Sequence, residues 1–143
     1  MTVEVSGIVA LPFELDKDAA ALGATDEALQ PCQGAGSVTE YHAVQDGYIR
    51  GIDAEIETAQ DLGDDVIYSV YVGGTRDADS EITLAGFGTA SGVLHNEARF
   101  DKGLVPVSVG DAIVVKAKST DAVNAKPAGM VAVVYLQLGQ SEI

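Results

Sequence analysis

Few residues in this chain have the types and spacing that covalent chemistry needs. Two histidines, His42 and His95, stand far apart in sequence. A histidine-based hydrolase or zinc centre needs at least one more convergent ligand. Ser6, Ser37, Ser69, Ser91 and Ser108 sit in no G-x-S-x-G elbow, the turn that lifts a nucleophilic serine clear of its sheet. Gly34-Ala35-Gly36 is a turn and not a phosphate loop, because the Lys-Ser/Thr pair and the helix that should follow are missing. The acidic loops come nearest to a site. Asp61, Asp64 and Asp65 form one cluster, and Asp77, Asp79 and Glu81 another. Carboxylates at alternate positions suit calcium, yet neither cluster has the spacing of the known calcium loop, and solvated acidic loops are common in so acidic a chain. Cys32 is the single cysteine, which excludes an internal disulfide and a cysteine-based zinc site. The expectation is a protein without catalytic residues, without a metal and without a cofactor.

Charge narrows the partners. The 143 residues carry 22 acidic against 8 basic side chains, a net charge of −14. Binding to nucleic acid through phosphates needs a basic face, and an anionic membrane repels the same surface, so neither partner is expected. The surplus suits a well-solvated surface, a high-salt environment in which ions screen self-repulsion, or a positively charged partner. No apolar run reaches the roughly eighteen residues of a membrane-spanning helix. Met1-Thr2-Val3-Glu4-Val5 shows no basic stretch followed by an apolar one, so no signal peptide is visible. Carbohydrate binding usually uses exposed aromatics; here tryptophan is absent and aromatics make up 6%, with Tyr41, Tyr48, Tyr68 and Tyr71 placed in strand patterns that favour core packing.

Those patterns are the main content of the sequence. Hydrophobic residues make up 47% of the chain, enough for one domain with a real core. In the stretch from Val105 to Val109, alternate valines share one face; Gly110-Asp111 supplies a tight turn, and then Ile113, Val115 and Ala117 share a face while Lys116 and Lys118 point away. Pro106 cannot donate to a ladder, so its strand begins there or lies at an edge. Ile52, Ala54 and Ile56 alternate with Asp53, Glu55 and Glu57, and Val66, Tyr68, Val70 and Val72 share a face before the turn Gly73-Gly74. Ile82 to Phe87 reads as a further strand, and Val93 to Phe100 as a weaker one. Together these give about seven or eight short strands with turn signals at roughly 8–12-residue intervals, the pattern of an all-β sandwich or barrel. Long connections favour a Greek-key jelly roll over a meander.

Two regions depart from plain alternation. The last strand, Met130 to Leu138, is apolar on both faces: Val131, Val133 and Tyr135 on one, Ala132, Val134, Leu136 and Leu138 on the other. Either the chain's own elements or a neighbouring subunit must cover the second face, and both readings stay open. The opening stretch places Val3, Val5, Ile8, Leu11, Phe13 and Leu15 along an extended segment interrupted by Pro12, which reads as an arm needing a surface: its own domain, the next subunit or a larger assembly. Asp16 to Leu29 reads as a loop with marginal helix, and Gln30 to Ser37 as a connector. The domain reading is residues 1–37 as arm and connector and residues 38–143 as the β-domain.

From Val38 to Leu138 the order of strands, with Pro106-Val107-Ser108-Val109-Gly110-Asp111 leading into Ile113-Val114-Val115 and then Val131-Ala132-Val133-Val134-Tyr135-Leu136, resembles small jelly-roll domains. It is similar to tumour-necrosis-factor-like trimers and to jelly-roll capsid decoration (cement) proteins of tailed viruses. The resemblance implies a jelly-roll β-sandwich with an extended N-terminal arm that forms a homotrimer on the virion surface. It implies the major capsid protein as partner, Val3, Val5, Ile8, Leu11, Phe13 and Leu15 as the capsid-contacting arm, and Ala132, Val134, Leu136 and Leu138 as the oligomer interface. Such a protein is made in the host cytoplasm and is no enzyme. The rival readings are a surface-displayed carbohydrate- or receptor-binding module and a cupin-like enzyme; the scarcity of histidine counts against the latter.

Overall fold

A computed structural model of the chain describes residues 7–15, 27–31, 40–58, 65–84, 94–119 and 128–139. Twelve strands run through them: β1 (Gly7–Leu15), β2 (Glu27–Ala28), β3 (Gln30–Pro31), β4 (Tyr41–His42), β5 (Gly47–Thr58), β6 (Val66–Val72), β7 (Thr75–Arg76), β8 (Ile82–Leu84), β9 (Leu94–Arg99), β10 (Pro106–Val107), β11 (Ala112–Ser119) and β12 (Ala128–Leu138). One 3₁₀ turn, Ala78–Ser80, precedes β8. All pairings are antiparallel. The first sheet, sheet A, has the order β10-β5-β12-β1-β3, with β9 also on β5; the second, sheet B, has the order β2-β11-β6-β7, with β4 on β11 and β8 on β6. The protein is an all-β, jelly-roll-like sandwich.

Alternation explains why the sheets stack. From β5, Ile52, Ala54 and Ile56 point inward, and from β11, Ile113, Val115 and Ala117 do; all six are buried, as are Val66, Tyr68 and Val70 of β6. Stiff β-branched side chains on a pleated surface interdigitate across the gap and exclude water. Two tyrosines tie the sheets together. Phe13 of sheet A meets the ring of Tyr41 of sheet B edge to face, 5.2 Å between centroids, and the Tyr41 hydroxyl donates to the Pro12 carbonyl at 3.1 Å. The Tyr68 hydroxyl reaches the Glu55 carbonyl at 3.4 Å, and burial pushes its pKa well up. The expected turn at Gly73-Gly74 is present, both glycines having positive φ, and β7 pairs back on β6 to complete a hairpin.

Three expectations are corrected. The segment expected to be an arm is a full strand within its described part: β1 pairs with β12 along its whole length, Gly7 opposite Leu138 through Leu15 opposite Met130. Leu11 and Phe13 are buried in the chain's own core, because the alternation of this segment matches the pleat of sheet A. Ile8 lies on the opposite, exposed side. Val3 and Val5 fall outside the described residues. For the same reason the boundary after residue 37 separates no two units among the described residues, since β1, β2 and β3 join both sheets. The third correction concerns Ala132, Val134, Leu136 and Leu138, expected at an oligomer interface. All four are buried within the single chain, and they belong to the core cluster together with the inward residues of sheet B. The second sheet, not a second subunit, dries that face.

The stretch around Gly110-Asp111 is a crossing between sheets. β10 starts at Pro106 and lies at the edge of sheet A, as its missing N–H requires, while β11 belongs to sheet B. The turn is held by side chains: the Ser108 N–H donates to the Asp111 carboxylate at 2.8 Å, and the Val109 N–H to the Asp46 carboxylate at 2.8 Å.

Candidate functional site

The outward face of β12 differs from its buried inward face. The register sets three rows across sheet A from β1 to β9: Glu14, Val131, Glu55, His95; then Pro12, Val133, Asp53, Glu97; then Ala10, Tyr135, Gly51, Arg99. The β1–β12 half is largely apolar and the β5–β9 half is charged. On the apolar half Ile8 is 51% exposed and Val131 37%, with Pro12, Val133 and Tyr135 partly exposed between them. Scattered exposed hydrophobics need no explanation; here Ile8, Pro12, Val131 and Val133 share the outer face of two paired strands.

The charged half is organised by one carboxylate. Arg99 Nη1 donates to Asp53 Oδ1 at 2.8 Å, and the Tyr135 hydroxyl donates to Asp53 Oδ2 at 2.8 Å. The Arg99 guanidinium lies 5.2 Å from the centre of the Tyr135 ring, a cation–π distance, and Glu97 approaches Arg99 Nη2 at 3.6 Å. Burial pushes the Asp53 carboxyl up, but the hydrogen bonds from Arg99 and Tyr135 and the charge of Arg99 outweigh it and hold the group below its ordinary range. The hydrogen bond to Asp53 raises Arg99 and, together with burial, raises Tyr135. At the end of this face Arg50 Nη1 donates to Gln137 Oε1 at 3.3 Å, and Gln137, itself buried, donates to the Gly7 carbonyl at 3.2 Å.

The opposite surface, outside sheet B, is of another kind. Lys116 and Lys118 alternate with the buried residues of β11, and the Lys116 ammonium sits 4.2 Å over the Tyr71 ring. Arg76 Nε donates to the buried Ser69 hydroxyl at 3.2 Å and pairs with Glu81.

The histidines are not brought together: His42 is on sheet B, beside Glu40 at 3.0 Å, and His95 is on sheet A. Of the second acidic cluster, Asp77 caps the 3₁₀ turn by accepting the Asp79 N–H at 2.9 Å, and Glu81 is held by Arg76. Asp61 and Asp64 of the first cluster, Cys32, Ser6, Ser37 and Ser91 lie outside the described residues. Among the described residues no group of three metal-ligating side chains converges. Arg50, Gly51 and Arg99 were missed as site residues. A signal existed: apolar spacing in β5 slips from two to three between Ile49 and Ile52, and a glycine stands in the gap, the mark of a bulge.

No family model and no curated protein matches the sequence. Among solved structures the chain is similar to the tumour-necrosis-factor protein Eiger from S. frugiperda, at 11% identity and a TM-score of 0.46 over 95% of this chain and 96% of that one. It is also similar to the Desmodium yellow mottle tymovirus structure, at 10% identity and a TM-score of 0.35 over 100% and 95% of the two chains. A family 35 carbohydrate-binding module from Clostridium thermocellum gives 10% identity and a TM-score of 0.34 over 91% and 97%. At these values the likeness is one of sandwich architecture and says nothing of ligand or partner. The class reached here, a jelly-roll β-sandwich, rests on the strand order and pairing described above.

Proposed function

We propose that this chain is a non-enzymatic structural protein that self-associates through the outer face of sheet A and, as a homotrimer, decorates and stabilises a viral capsid. The observation that carries this reading is the apolar strip of Ile8, Pro12, Val131 and Val133, left open on a chain whose net charge is −14. In this reading the strip is covered by a second copy. Each trimer then presents three equivalent contacts to the major capsid protein, so that weak single contacts add up to firm attachment. Since Leu11 and Phe13 serve the core, capsid contact is assigned to residues preceding β1, Val3 and Val5 among them. The protein is made in the host cytoplasm and ends on the virion surface.

Light scattering on the purified chain at low and high salt tests the first step. The expected native mass is that of three chains, retained at high salt because the contact is apolar. A clean monomer overturns the reading. Co-sedimentation of the trimer with capsids tests the second step, and failure to saturate them removes the decoration role. A second reading, a surface-displayed ligand-binding module, is favoured by one observation, the arginine-lined hollow at the end of the same face.

A further inference from the structure

Two of the eight basic residues of this chain, Arg50 and Arg99, line one hollow of about 270 Å³ on the outer face of sheet A, together with Ile8 and Tyr135. Nothing in the fold of a sandwich demands such a convergence, and three local features produce it.

The first is a bulge. Tyr135 of β12 stands opposite Gly51, and Leu136 opposite Ile49, so Arg50 is an extra residue without a partner in the ladder. A bulge re-aims the side chain it carries, and here Arg50 comes to the hollow that Arg99 and Tyr135 also line. The second is a missing side chain. Gly51 lies in register between Tyr135 and Arg99; a Cβ there would stand 2.7 Å from the Ala98 carbonyl oxygen and 2.9 Å from Arg99 Cδ. Any other residue would displace the Arg99 side chain. The third is fixation of the donors. Asp53 holds both Arg99 and the Tyr135 hydroxyl at 2.8 Å, and the buried amide of Gln137 steadies Arg50 at 3.3 Å.

The charge balance singles out Arg50. Arg99 is neutralised by Asp53, with Glu97 near by. Among the described residues Arg50 is bonded to a neutral amide and to no carboxylate, in a chain with 22 acidic residues. A guanidinium has five N–H donors, and its planar fork fits a two-oxygen anion.

We propose that this hollow binds a single carboxylate carried on a compact, partly apolar body. Arg50 is the charge partner of the carboxylate, Arg99 supplies further donors, and Ile8 with the Tyr135 ring walls the body. A monoanion fits better than a multiply charged group, because Asp53, Glu97 and the overall negative field oppose each added charge. The volume sits near the lower end of small-molecule sites, about 300 Å³, which suits a body of a few heavy atoms beyond the carboxylate. The carboxylate has two possible sources, a free small acid or an aspartate or glutamate of a second copy.

The test is a titration of the full chain followed by amide NMR, with butyrate as probe and butyramide as its neutral isostere. Butyrate is expected to shift the Gly51, Arg99 and Tyr135 amides saturably. Butyramide is expected to leave them in place, and Arg50→Gln to weaken butyrate at least tenfold while the rest of the spectrum is unchanged. Equal shifts with butyramide, undiminished binding in Arg50→Gln, or no saturable shift overturns the proposal. Sulfate competing as well as butyrate overturns the preference for a carboxylate. Light scattering with and without butyrate separates the sources: a fall in native mass assigns the natural carboxylate to a second copy, and an unchanged mass to a free ligand. The titration reads the same on a monomer, so failure of the trimer reading leaves it intact.

Discussion

Strands β11 and β12 run through the middle of opposite sheets and finish their outer faces differently. β11 buries Ile113, Val115, Ala117 and Ser119 and turns Lys116 and Lys118 outward. Long cationic side chains cover the apolar surface beneath them with their stems and keep their heads in water; Val114 shares that side and is partly exposed. β12 buries Met130, Ala132, Val134, Leu136 and Leu138, and its outward residues include Val131, Val133 and Tyr135. No lysine closes it. Inward burial on the two strands is the same physical event; the difference lies entirely in what water meets outside. Lys116 and Lys118 stand on the outer face of β11, where β12 presents Val131 and Val133.

The sharpest way to break this comparison is to place the same charge on each side of β12. Val134→Asp puts a carboxylate without a partner into the core and should cost more than about 4 kcal/mol, enough to prevent folding. Val133→Asp, one residue away, should change the stability of the chain by no more than about 1 kcal/mol while lowering its native mass to that of a monomer. Urea melts and light scattering read the two effects separately. Equal destabilisation by both would show that the outer face is as dry within one chain as the inner one.

A smaller effect is expected at Asp53. Asp53→Asn removes the charge and one of the two oxygens that accept from Arg99 and Tyr135, and should cost about 1 kcal/mol at neutral pH, the partners being partly exposed. The sign of the pH dependence follows from the depressed carboxyl. Its stabilisation is complete above the ordinary value of 3.8 and is lost as pH falls through the lower folded value. The gap between the native chain and the variant should therefore close on acidification below about pH 4. A gap that persists in acid would mean that packing, and not ionisation, holds the cluster.

The smallest effect belongs to β11. Lys116→Gln removes the cation from the Tyr71 ring and should cost about 0.5–1 kcal/mol, leaving the native mass unaltered. A change of mass in this variant would move the contact surface to sheet B and undo the comparison.

Much of the fold was legible in particular residues. The period-two patterns of β5, β6 and β11 named their inward faces correctly, because β-branched residues at alternate positions have one economical arrangement on a pleated sheet. Pro106 marked its own strand start. The opening segment was misread because Pro12 interrupts its apolar pattern. In the structure the Pro12 carbonyl bonds Tyr41 of the other sheet, and β3 reaches only Phe13 and Glu14 on that side of β1. A missing N–H therefore costs the ladder little at this position. The hollow was hidden for another reason: Arg50 and Arg99 are distant in sequence and meet only through the pairing of β5 with β9 and the bulge opposite β12.

By itself the sequence determined that this chain is all-β, where most strands lie and which side of each is apolar, because those follow from local stereochemistry and the period of the pleat. It also determined the acidic surface, since charge is a sum over residues. Tertiary structure alone decided that Leu11, Phe13, Val134 and Leu136 serve one core, that the open face of β12 is the one with Val131 and Val133, and that two arginines share a hollow. These depend on which strands pair and in what register, and register is chosen by the whole set of contacts at once, with no single stretch of chain carrying it.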